Sequence, residues 1–85
     1  MRRYHFHIYA AGVVSRDDVG QKFSSDRSAI SYGQRIVDEL TKDEDYRDAT
    51  IDILTSSGRL VARLISREAS LFDQTKDSLR RISLH

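Results

Sequence analysis

The sequence predicts an α+β domain: an antiparallel sheet of two β-hairpins with one amphipathic helix packed on one face, in the order ββαββ, followed by a C-terminal helix. Two observations carry this. Apolar side chains alternate with polar ones over residues 3–9, and period two returns at 51–53 and 60–65, the repeat of a strand. Between these stretches, residues 29–40 place apolar side chains at i, i+3 and i+4, the repeat of a helix packed along one stripe.

The first strand reads "RRYHFHIY", with Tyr4, Phe6 and Ile8 on one side and Arg3, His5, His7 and Tyr9 on the other. "AAG" at 10–12 supplies a turn, and Val13 and Val14 begin a returning strand that ends at "RDDVG". Asp17, Asp18 and Gly20 are turn chemistry, because short carboxylates bond nearby amides and glycine tolerates positive φ. The helix follows over about residues 25–42, with Ala29, Ile30, Gly33, Ile36, Val37 and Leu40 as its stripe and Ser24, Ser25 or Asp26 as its cap. Gly33 lies within that stripe, where glycine costs about 1 kcal/mol relative to alanine, so a close approach of helix and sheet is expected there.

The polar stretch "TKDEDYRDA" ends the helix and leads to a second hairpin, "IDIL" and "LVARLI", joined by "TSSGR" with Gly58 at a left-handed turn position. Leu60, Ala62 and Leu64 are expected to face the core, leaving Val61, Arg63 and Ile65 on the outer face. An apolar pair on that outer face implies a cover, either the tail or another subunit. The predicted core is Tyr4, Phe6, Ile8, Ile30, Gly33, Ile36, Val37, Leu40, Ile51, Ile53, Leu60 and Leu64. Residues 1–65 thus form one domain, and residues 66–85, with Leu71, Thr75, Leu79 and Ile82 at near-helical intervals, form a C-terminal helical extension.

Composition bounds the function. A chain of 85 residues buries only about 60–65% of its unfolded surface, which leaves little room for a large catalytic cleft. No segment approaches the roughly 18 apolar residues of a membrane span, and the basic start lacks the apolar core of a secretory signal, so a cytoplasmic protein is expected. Cysteine is absent, which excludes disulfides and thiolate chemistry. The net charge of +1 is unevenly spread: residues 1–37 and 59–85 are basic, and residues 38–58 carry seven acids against Lys42 and Arg47.

Candidate chemistry centres on the polar side of the first strand. His5 and His7 point the same way and could ligate a metal, but a site needs a third ligand, and the remaining histidine, His85, stands at the far terminus. Asp52 could supply a carboxylate if the register allowed it. Arg3, His5, His7 and Tyr9 together offer cations and stackable rings, the means by which sheet surfaces read single-stranded nucleic acid. "DEDYRD" fails as a calcium loop, since positions six and twelve counted from Asp43 are Asp48 and Leu54 rather than glycine and glutamate. Eleven serines occur without a nucleophile elbow, and the glycines are too scattered to cradle a phosphate. No catalytic residue, cofactor or metal site is therefore expected, and the protein is read as a non-enzyme.

"MRRYHFHIY", "DDVG", "SAISYGQRIVDEL" and "IDILTSSGRLV", in that order, resemble a family of short bacterial proteins of unknown function that open Met-x-Arg-Tyr-x-Phe-His. The likeness covers residues 1 to about 65, with a helix less rich in alanine than the family pattern. It implies the fold and assigns no activity, cofactor or binding residue. More distantly, a hairpin followed by an amphipathic helix is similar to the antitoxin subunits of small RNA-targeting toxin–antitoxin pairs. Two functional expectations follow: a non-enzymatic protein-interaction module that pairs with itself as a homodimer or with another small protein, or a nucleic-acid-binding regulator using Arg3, His5, His7 and Tyr9.

Overall fold

A computed structural model describes residues 1–66; the predicted C-terminal helix lies outside the described residues. The elements are β1 (Arg2–Ala10), β2 (Val13–Ser15), β3 (Gln21–Phe23), α1 (Asp26–Leu40), β4 (Thr50–Thr55) and β5 (Leu60–Ile65), with a 3₁₀ turn at Glu44–Tyr46. The sheet is antiparallel in the order β2-β1-β4-β5, and β3 pairs with the start of β1. The α+β class, both hairpins and the amphipathic helix packed on one face agree with the sequence reading. The order is βββαββ, however, because a third short strand precedes the helix.

That extra strand has no local signature. Gln21, Lys22 and Phe23 become a strand by pairing with Tyr4, Arg3 and Arg2, while β2 pairs with Ile8, Tyr9 and Ala10. Between the two short partners Asp17 completes the edge: its carboxylate accepts from the Phe6 amide at 3.2 Å and from those of Val19 and Gly20 at 3.2 and 2.9 Å. Gly20 is required here, because its φ is +77° and a Cβ would stand 2.8 Å from the Tyr4 carbonyl oxygen.

Ser25 caps α1, its hydroxyl accepting from the Ser28 amide at 3.1 Å, and Asp26 occupies the first turn where the helix dipole favours a negative charge. Tyr4 Oη donates to Asp26 Oδ1, tying the start of the helix to β1. At the other end the Thr41 hydroxyl donates back to the Val37 carbonyl. The helix packs on β3, β4 and β5 and buries Ala29, Gly33 and Val37 against Tyr4, Phe6, Ile51 and Ile53. Tyr4, Phe6, Phe23 and Tyr32 form a ring cluster, edge-to-face except for the tilted Phe23–Tyr32 pair, with centroids 5.2–6.1 Å apart, which fixes β3. Gly33 is the close approach expected of it: a Cβ there would lie 2.9 Å from Leu64 Cδ1 and 3.0 Å from Ile53 Cδ1.

One core assignment is overturned. Leu60 is 48% exposed, whereas Val61 packs against the core. The cause is a register shift: Ile53 faces Ala62, but Leu54 faces Leu60, so β5 carries one extra residue at Val61. Because side chains alternate with period two, this bulge moves Leu60 to the outer face and turns Val61 inward.

Candidate functional site

With α1 on one face, the described residues leave the other face of the sheet open. Register arranges its side chains in rows across the strands. Tyr9 lies between Val14 and Thr50, and Thr50 faces Ile65. His7 faces Asp52, which faces Arg63, and His5 faces Leu54, which faces Leu60. Arg3 faces Lys22 at the end of the sheet. Arg3, His5, His7 and Tyr9 therefore do share one face, as the alternation predicts.

The central row is polar and internally satisfied. Asp52 is only 5% exposed although it belongs to the outer face, because Arg63 lies over it with Nε donating to Oδ1 at 2.7 Å and Nη2 to Oδ2 at 2.9 Å. The Arg63 hydrogen bonds, assisted by Tyr9 and by the charge of His7, outweigh burial and hold the Asp52 carboxyl below the usual carboxylate range. Arg63 is correspondingly raised. Asp17, beside His5, is also lowered: desolvation raises it, but the amides of Gly20, Phe6 and Val19 together prevail. Its backbone oxygen accepts from His5 Nδ1 at 2.8 Å, which assigns the proton to that ring nitrogen.

These contacts decide what the face can do. Asp52 does stand beside His7, the carboxylate position a metal site would want, yet both of its oxygens are held by Arg63. Among the described residues no group of three or more metal-ligating side chains comes together. The face is an ordered surface, with its charges neutralised in the middle and apolar groups on either side. Tyr9, Leu60 and Ile65 are 36%, 48% and 44% exposed, and Val14 is similarly open.

A second feature escapes sequence reasoning. Arg2, Arg3 and Arg59 meet the hydroxyl-bearing turn Thr55–Ser57 around an open cleft at the end of the sheet where β1 begins. These residues are more than fifty positions apart in the chain, so only strand pairing unites them. The sole sequence signal was the basic character of the two terminal segments.

Fold and surface together define a small α+β domain whose open sheet face is its most developed feature. The chain matches a domain of unknown function (DUF6894) over residues 3–66 and belongs to that family. No curated protein and no solved structure matches it. No helix among the described residues is long and apolar enough to cross a membrane.

Proposed function

We propose that this domain is a non-enzymatic protein-interaction module that self-associates through the open face of its sheet. The observation that carries this is the pattern of the face: a central row in which Arg63 neutralises Asp52 beside His7, flanked by Val14, Tyr9 and Ile65 around Thr50 on one side and by Leu54 and Leu60 next to His5 on the other. An isologous dimer lays the same patch on itself, and a two-fold axis along the central row sets apolar row against apolar row. No unpaired buried charge results, since Arg63 already holds Asp52. Four strands of about six residues give a face of roughly 400 Å² from strand spacing and rise. That is about half of what a standard interface buries per partner, so the association is weak and micromolar rather than obligate.

Sedimentation velocity of the full chain across a wide concentration range tests this. A reversible monomer–dimer equilibrium is expected, abolished by Leu60→Glu or Ile65→Lys at unchanged melting temperature, because both side chains are exposed in the monomer. A wild-type chain that stays monomeric at millimolar concentration rules the proposal out. So does an equilibrium indifferent to both substitutions.

A further inference from the structure

The cationic end of the sheet goes beyond self-association. Arg3 and Lys22 are directly opposed across β1 and β3, an arrangement of like charges that destabilises a sheet unless something neutralises it. Among the described residues the ion pairs are Lys42–Glu39, Arg47–Glu44, Arg59–Asp26 and Arg63–Asp52, and they include neither Arg2, Arg3 nor Lys22. Asp26 stands 3.6 Å from Arg59 and also feels the charge of Arg2, so a single carboxylate is set against the four cations. Arg3 Nη1 donates to the Val19 carbonyl at 2.8 Å, which orients the guanidinium without neutralising it. Next to these cations, Thr55, Ser56 and Ser57 line the same cleft with hydroxyls.

The acidic part of the chain does not cancel this charge. Asp48 accepts from the Ala11 amide at the opposite end of β1, with the acidic 3₁₀ turn just before it. The eight steps from Arg3 to Ala11 span about 25 Å at strand rise. Since the screening length at physiological ionic strength is about 8 Å, the two ends act as separate fields. A net charge of +1 thus conceals a polarised molecule.

We infer that this end of the sheet binds the phosphodiester backbone of a single-stranded nucleic acid, with Arg2, Arg3, Lys22 and Arg59 as its cation track. The cations sit on β3, β1 and the β4–β5 turn, three successive positions across the sheet at about 4.8 Å each. A track of that length spans more than one phosphate, which favours a polyanionic strand over a single phosphorylated side chain. The cleft is open, as a passing strand requires, and in the monomer Arg3 leads into the His5, His7 and Tyr9 file on which bases can stack, so strand binding and self-association through that face exclude one another.

The test is fluorescence anisotropy with labelled mixed-sequence RNA and DNA 12-mers over a salt titration, using the full-length chain. Binding is expected to weaken with salt at a log–log slope of about −2, for about three phosphates contacted at about −0.7 each. Arg2→Ala and Lys22→Ala, both at exposed positions, should each flatten the slope by about 0.7. Arg47→Ala, in the acidic segment, should leave it unchanged. The dimer-deficient Ile65→Lys variant, altered at the far end of the sheet from these cations, should bind at least as tightly as the wild type, so failure of self-association is distinguishable from failure of this site. Absence of binding at low salt refutes the assignment. Undiminished binding by a folded Arg2/Lys22/Arg59→Ala variant does too, as does a serine-phosphorylated decapeptide that binds as tightly as the oligonucleotides.

Discussion

Replacing Gly33 by alanine tests the seat of the helix on the sheet, because one methyl group there has two opposite effects. In an unobstructed helix the change stabilises by about 1 kcal/mol, through the smaller entropy loss of alanine. Here the new Cβ would lie 2.9 Å from Leu64 Cδ1, 3.0 Å from Ile53 Cδ1 and 3.4 Å from Phe6 Cε1, where carbon atoms prefer about 3.5–4.0 Å. Leu64 is half-buried and can turn aside, but Ile53 is fully buried and cannot. Overpacking of this kind costs about 1–3 kcal/mol, so the net expectation is a loss of about 1 kcal/mol. Ile53→Val removes the obstructing Cδ1 atom and by itself costs about 0.5–1.5 kcal/mol. Combined with Gly33→Ala it should cost little or nothing, a coupling of about 2 kcal/mol between the two sites. Urea unfolding of the four proteins measures it, with midpoints moving by about 1 M for each kcal/mol if m is near 1 kcal/mol/M. Additivity to within about 0.3 kcal/mol would mean that the helix does not rest on Ile53.

Two further expectations concern stability. Asp17, Asp26 and Asp52 all have carboxyls lowered in the folded chain, by backbone amides against desolvation at Asp17, by Tyr4 at Asp26 and by Arg63 at Asp52. The unfolded state therefore binds protons first: their contribution is complete above about pH 4 and is lost as pH falls through the lower folded values, which a urea midpoint that holds down to about pH 2 would contradict. At the β1–β2 turn, Ala11 has a φ of +52° ahead of Gly12 at +75°, the backbone that an Asn-Gly pair adopts at least cost. Ala11→Asn should raise stability by about 0.5–1 kcal/mol, read as a higher melting temperature, and an unchanged or lower one would place the turn in another conformation.

Much of this architecture is legible from local pattern. The helix stripe, a cap within residues 24–26, the alternation of β1, the Gly58 turn and the close approach at Gly33 all follow from residues within a few positions of one another. Short-range periodicity and turn chemistry are properties of the chain itself, which is why Arg3, His5, His7 and Tyr9 could be placed on one face in advance. Pairing between distant segments is not encoded in that way. Strand β3 exists because Gln21–Phe23 meets Arg2–Tyr4 and its phenyl ring joins a cluster with Tyr4, Phe6 and Tyr32. Leu60 and Val61 exchange faces through a bulge that depends on the register with β4.

The surface divides along the same line. The sequence alone determined a two-layer α+β domain with a polar first-strand face and an uneven charge. Tertiary structure decided that Asp52 is covered by Arg63, that Leu60 and Ile65 flank that pair, and that Arg2, Arg3, Lys22 and Arg59 gather at one end. The reason is physical: a side chain's local periodicity chooses its face, but its neighbours across a sheet depend on a register set by every strand packed together.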